Sequence, residues 1–195
     1  MEGYEWFGNN RTDIHVKAKK GPGGVGFLVH KDIVNQYQID ILDKTVEGIL
    51  WMNIRHKDGR DCLRACVCYL PPTESTRNID ANDFYDSLLS QVHVYGKEST
   101  FFLCGDFNSR CGDMDDYIAG VDKVPERNVI DFKRNAYGEL LCEYLMNSNC
   151  CILNGRKCVK NNYTFISPLG SSVVDYCLVP YECLDKFEQF KVALN

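Results

Sequence analysis

Phe101-Phe102-Leu103-Cys104-Gly105 is an unbroken apolar run that opens at Thr100 and passes through a glycine into Asp106-Phe107-Asn108. No polar residue interrupts it, so it offers no face to water. A strand of this kind is buried on both sides and needs layers above and below it. The segments around it can supply them. Residues 79–95 place Phe84, Leu88, Leu89 and Val92 at helical spacing, with Asp83 and Asp86 near the start. Residues 136–146 place Leu140, Leu141, Tyr144 and Leu145 on one helical face.

Upstream, residues 23–29 enter a strand through glycines, residues 36–42 alternate as a second, and residues 48–54 and 62–70 read as a hairpin around Lys57-Asp58-Gly59-Arg60. Downstream, residues 150–153, 163–166 and 173–179 read as short strands, and residues 181–187 as a weak helix. The first 22 residues read as a polar stretch carrying Lys17, Lys19 and Lys20. Hairpins first and alternating strands and helices later imply an α/β sandwich with a mixed sheet. A chain of 195 residues suits one domain.

Composition excludes several classes. Hydrophobic residues are 45% and charged residues 25%, the balance of a soluble globular protein, and no apolar run is long enough to span a bilayer. Glu2, Glu5 and Trp6 stand where a signal peptide needs a basic start, so an intracellular site, cytoplasm or nucleus, is expected. The net charge of −5 argues against a charge-driven DNA coat protein but not against an enzyme that meets phosphate through a metal. The 11 cysteines contain no C-x-x-C pair and sit inside apolar runs, as in Cys66-Val67-Cys68 and Cys150-Cys151, so they read as reduced core thiols.

Gly21-Pro22-Gly23-Gly24-Val25-Gly26 formally matches G-x-G-x-x-G. A dinucleotide site needs a strand before that motif and a helix after it. No strand is read before it and Val25–Val29 continues as strand, so a turn into a strand is the better reading. Gly105-Asp106-Phe107-Asn108 is sharper. In extended chain, Asp106 and Asn108 at i, i+2 share a face while Phe107 points into the core. Asp106 can take a proton or coordinate a metal, and Asn108 can donate to developing negative charge. On pattern alone a turn is slightly favoured, because Gly, Asp and Asn are turn residues. Asp175, inside an apolar strand, is either a satisfied structural carboxylate or an acid that orients a histidine or metal. Tyr69, before Leu70-Pro71-Pro72, is a strand-end tyrosine that reads as core or as cleft lining.

The series Gly24-Val25-Gly26, Tyr69-Leu70-Pro71, Gly105-Asp106-Phe107-Asn108, Tyr163-Thr164-Phe165 and Ser172-x-x-Asp175-Tyr176 resembles, in order and spacing, the endonuclease/exonuclease/phosphatase superfamily, with its deoxyribonuclease I-like fold. It looks most similar to the endonuclease domains of non-LTR retrotransposons. The resemblance implies a four-layered α/β sandwich, two mixed sheets face to face with helices outside. It implies phosphodiester hydrolysis with Mg²⁺ (or Mn²⁺), DNA as substrate, a reverse transcriptase domain in the same polyprotein as partner, and no membrane. Asp106 would position water and contact metal with Asn108, Asn108 would hold the scissile phosphate, Tyr69 would lie near it, and Asp175 would pair with a catalytic histidine.

This chain departs from the family pattern at several places. The family opens with a strand bearing an asparagine and one ending in a metal-binding glutamate, and closes with a Ser-Asp-His block. Neither opening block is found before Gly21 and the closing block is not found by Asn195, so the resemblance implies a single domain over residues 1–195 lacking its first strands and its last, with an incomplete site. Pro72 replaces a common asparagine, and Val173 or Val174 a common arginine. His15, His30, His56 and His93 fall outside the matching blocks. The alternatives are a phosphomonoesterase or lipid phosphodiesterase on the same fold, or a non-catalytic remnant.

Overall fold

Phe101 and Leu103 are buried on one side of strand β6 (Thr100–Asp106), and that side faces helices α2 (Ala81–Tyr95) and α3 (Ala136–Ser148). The computed structural model describes residues 2–10, 23–59, 62–75, 79–97, 99–157 and 163–193. Lys17, Lys19, Lys20, His15, Gly21, Pro22 and Arg60, which the sequence reading invoked, lie outside the described residues. The remaining elements are β1 (Tyr4–Asn10), β2 (Gly24–His30), α1 (Lys31–Gln36), β3 (Tyr37–Asp43), β4 (Ile49–His56), β5 (Cys62–Tyr69), β7 (Cys150–Ile152), β8 (Phe165–Ser167), β9 (Gly170–Ser172), β10 (Asp175–Pro180) and a 3-10 turn at Tyr181–Lys186.

Six strands form one mixed sheet in the order β3-β4-β5-β6-β10-β7. The β5–β6 pair is parallel and α2 is its crossover; the other pairs are antiparallel. Helix α2 starts at Asp80, whose carboxylate accepts from the Asn82 and Asp83 amides, and it buries Phe84, Leu88 and Val92 at the expected spacing. Full burial of each large side chain stabilises the fold by about 1.5–3 kcal/mol. Cys66, Cys68, Cys111, Cys142, Cys150, Cys151 and Cys183 are buried free thiols, as read from their apolar settings. Among the described residues no helix is long and apolar enough to cross a membrane.

The opposite face of the sheet carries a two-stranded ribbon, β1 antiparallel to β2. Val29, with Phe27, packs there against Met52 and Ala65. Three expectations need correction. Residues 4–10, read as part of a polar stretch, form β1; the strand exposes Tyr4, Glu5 and Trp6, so its pattern carries little apolar signal. A strand therefore does precede the glycine motif, but the motif enters β2 rather than a helix. Its last glycine makes room for an aromatic ring, since a Cβ at Gly26 would lie 2.4 Å from the Trp6 ring. Strand β6 is buried on its helix face only, whereas Ile49–Asn53 of β4 are buried on both, because the ribbon lies over β4 and β5. Finally, β10 begins at Asp175, so Val173 and Val174 are not strand. A further antiparallel pair joins β8 to β9.

Candidate active site

Tyr69, Asp106 and Asp175 form a row across three adjacent strands. In the parallel β5–β6 register Tyr69 is opposite Asp106, and in the antiparallel β6–β10 register Asp175 is opposite Asp106. Side chains alternate along a strand. Cys68, Leu103 and Leu178 are in the helix-face core, so the row lies on the other face, where all three residues are half-buried. The two acids, 69 positions apart in the chain, thus meet at one strand end, where β5 and β6 finish and β10 begins.

Gly105 makes this approach possible. Its φ is +149°, and a Cβ there would stand 1.9 Å from the Cys68 carbonyl oxygen. Directly after it the chain turns. The Asn108 amide donates to Asp106 Oδ1 at 2.9 Å, and Asn108 takes a left-handed conformation with φ 48°. The two side chains are therefore brought together by an Asx turn, not by the extended spacing inferred from sequence. Phe107 is fully buried, as expected. The Asn108 side-chain amide also interacts with the Asp106 carboxylate, and its Nδ2 donates to the Leu70 carbonyl at 2.8 Å. The turn reading and the site reading of the Gly-Asp-Phe-Asn block are thus compatible.

Burial pushes the Asp106 carboxyl above its ordinary value; bonds from Asn108 offset part of this, and the neighbouring charge of Asp175 adds to it. Asp175 is raised in the same way by burial, against a lowering hydrogen bond from Thr164. The Thr164 hydroxyl also accepts from the Val174 and Asp175 amides, each at 3.1 Å. Asn154 completes the frame: its Nδ2 donates to the Asp175 carbonyl at 3.1 Å and its Oδ1 accepts from the Cys177 amide at 2.9 Å. Among the described residues no arginine or lysine forms an ion pair with Asp106 or Asp175. His30 pairs with Asp32, His56 pairs with Asp58, and His93 lies in the last turn of α2.

The irregular segment 107–135 is tied to the start of β10. Arg110 reaches Asp131 with two nitrogens, at 3.1 and 2.6 Å, and Asp131 also accepts from the Val173 amide at 3.0 Å. Tyr176 donates to the carbonyls of Ser109 and Val173, at 3.1 and 2.9 Å. Arg110, Asp131, Asn135, Asn154 and the role of Thr164 were not found from sequence. Asn135 alone carried a readable signal, as a cap residue directly before an apolar helical pattern; the rest depend on long-range pairing.

Oxygen donors of two carboxylates and an amide suit Mg²⁺ or Mn²⁺, which are held through one or two carboxylates and keep water in the remaining positions. The set is small: among the described residues no three His, Cys, Asp or Glu side chains group as a metal site.

No family model matches the sequence, and no curated protein does. Solved structures do match. The endonuclease domain of TRAS1, a telomere-specific non-LTR retrotransposon, superposes with TM-score 0.62 at 14% identity over 95% of this chain and 70% of that one. The AP endonuclease LMAP from Leishmania major gives TM-score 0.58 at 14% identity over 94% of this chain and 64% of that one. A humanized D. rerio TDP2 gives TM-score 0.51 at 11% identity, over 91% and 61%. This chain therefore spans less than two thirds of the last two. Taken with the six-stranded mixed sheet and its helices, these superpositions establish that the chain has the fold of the endonuclease/exonuclease/phosphatase superfamily, the deoxyribonuclease I-like fold.

Proposed function

We propose that this chain is part of a metal-dependent phosphodiesterase acting on DNA, of the retroelement endonuclease type. The observation that carries the reading is the Tyr69–Asp106–Asp175 row, two half-buried carboxylates paired across β6 and β10 with no ion pair to an arginine or lysine among the described residues. An acid pair set this way is costly to a fold and useful to a reaction. The likeness to a retrotransposon endonuclease domain and an AP endonuclease supports the nucleic-acid substrate.

In this reading Asp106 accepts the proton of the attacking water, a task suited to a carboxylate whose proton affinity has been raised. Asn108 holds a phosphoryl oxygen through the amide hydrogen directed toward Asp106. Tyr69 borders the phosphate from β5. Asp175 is the orienting acid for a histidine, which is none of His30, His56 and His93, and Thr164 fixes its direction. Asp106 with Asn108 would hold Mg²⁺ or Mn²⁺, which when bound supplies positive charge to the phosphate. A reverse transcriptase on the same polypeptide is the partner this reading expects, and the coding sequence on either side tests that directly.

The 195-residue chain by itself should show no Mg²⁺-dependent nicking of supercoiled plasmid above background, because its carboxylates alone hold the metal weakly. Supplied with the Asn, Glu and Ser-Asp-His blocks implied by the resemblance, it should nick. Asp106→Ala should then lower the rate by about 100-fold or more without altering the circular dichroism spectrum. Near-normal nicking by that variant, or hydrolysis confined to phosphate monoesters, would overturn the proposal.

A further inference from the structure

Asn135 precedes α3, and its carboxamide is engaged at both ends. Oδ1 accepts from the Gly138 amide at 2.8 Å, the ordinary bond of a helix cap, and from the Arg110 amide at 2.9 Å. Nδ2 donates to the Asn108 carbonyl at 2.9 Å. The Asn135 backbone amide donates in turn to the Arg110 carbonyl at 3.2 Å. One side chain thus grips the turn just after the acid row on both sides of Ser109. The contact is close as well as polar: a Cβ at Gly138 would fall 2.1 Å from the Arg110 carbonyl oxygen. The first turn of α3 therefore lies against the backbone of the turn, and no residue larger than glycine fits there.

We propose that Asn135 is a positioning residue that holds Asn108 in its left-handed conformation, and through it the Asx turn onto Asp106. The inference rests on the reading of Asn108 as a site residue, but the geometry it concerns exists without any substrate. The left-handed conformation of a non-glycine residue persists where its surroundings over-determine it. The bonds of Asn108 to Asp106 and Leu70 come from the strand side. The bond from Asn135 comes from the helix side, and the contact with Asn108 resides in an atom of its own: Oδ1 caps the helix and holds the Arg110 amide, while Nδ2 alone reaches Asn108.

That division makes the proposal separable from a purely structural role. Asn135→Asp keeps the capping oxygen, and aspartate caps helices as well as asparagine does, but it has no donor for the Asn108 carbonyl. Amide hydrogen exchange of the 195-residue chain, followed residue by residue by NMR, is the readout. The expected result is an unfolding midpoint within about 3 °C of the parent, unchanged exchange in β4, β5 and α3, and exchange of the Asn108 backbone amide faster by about 5-fold, the loss of one neutral hydrogen bond. Parental exchange at Asn108 overturns the proposal; so does acceleration spread equally over the core amides, which would make Asn135 a cap and nothing more. Should the aspartate variant fail to fold, Asn135→Ser, whose hydroxyl can cap but does not also reach Asn108, is read by the same criteria. Nicking does not enter these outcomes. If Asp106→Ala leaves nicking intact while Asn108 is loosened here, the functional proposal falls and the positioning role stands.

Discussion

Two acidic centres of this molecule, one buried and one half-buried, are built on opposite principles. Asp116 and the Arg156 side chain are each only 1% exposed, and the guanidinium meets the carboxylate with two bonds, at 2.7 and 2.8 Å. Arg127 approaches the same carboxylate, and the Ile152 amide donates to it at 2.7 Å. Burial alone would raise the Asp116 carboxyl, but the bond and charge of Arg156, with Arg127 and that amide, hold it below its ordinary value. At the acid row the hydrogen bonds from Asn108 and Thr164 offset burial only in part, no guanidinium among the described residues pairs with either acid, and both carboxyls are raised. The comparison teaches where the fold gains stability from charge and where it gives some up. A group matched on every side is structure; a group left unmatched at a strand end is available to something outside the protein.

Breaking the matched centre should have the largest effect. Asp116→Ala leaves the Arg156 guanidinium buried without its carboxylate and should cost about 3–5 kcal/mol in urea unfolding; a loss below about 1 kcal/mol would mean that the two centres do not differ as described. Breaking the unmatched centre should do the reverse. Asp106→Asn at neutral pH removes a charge the fold tolerates poorly and should stabilise the protein by about 0.5–1 kcal/mol. Destabilisation there would show that Asp106 is satisfied in a way that resembles Asp116.

The smallest effect is also the sharpest. A carboxyl raised in the folded state binds its proton more tightly folded than unfolded, so its burden on stability is relieved as the pH falls through that raised value. The gain from Asp106→Asn should therefore shrink on acidification from neutral pH. A carboxyl lowered in the folded state contributes stability above its unfolded value, and loses it as the pH falls through the folded one. The deficit of Asp116→Ala should accordingly persist through the same range and narrow only below the ordinary carboxylate value. Unfolding curves of the two variants and the parent at several pH values test both slopes.

How much of this could be read in the chain depended on whether the signal was local. The helices at 81–95 and 136–148 announced themselves by spacing, and the strand ending in Gly105-Asp106 by its apolar run. Strand β1 did not, because a ribbon that shows most of one face to water has no periodic apolar pattern, and its Trp6 is spent covering glycines of its own ribbon. Asp106 and Asp175 were singled out, but only sheet register shows that they are neighbours. The frame behind them was not legible. Arg110 and Asp131, on the loop before α3, and Asn154, just after β7, look like ordinary surface residues until the fold brings them beside β10.

That loop has a practical side. Residues 107–135 contain no strand or helix beyond an isolated bridge between Cys111 and Arg134, and a stretch of this length is where a protease is expected to cut. Yet it is riveted along its length, by Arg134 to Asp113, by Arg110 to Asp131, by Arg127 to the carbonyls of Gly112 and Met114, and by Arg156 and Tyr181 to Asp116. A protease specific for arginine cannot easily draw these side chains into its pocket while each is held by an acid or a carbonyl. The segment should therefore survive as one unbroken piece through a digestion that removes less tethered parts of the chain, and the surviving fragment would carry Asp106, Asn108 and Asn135 together.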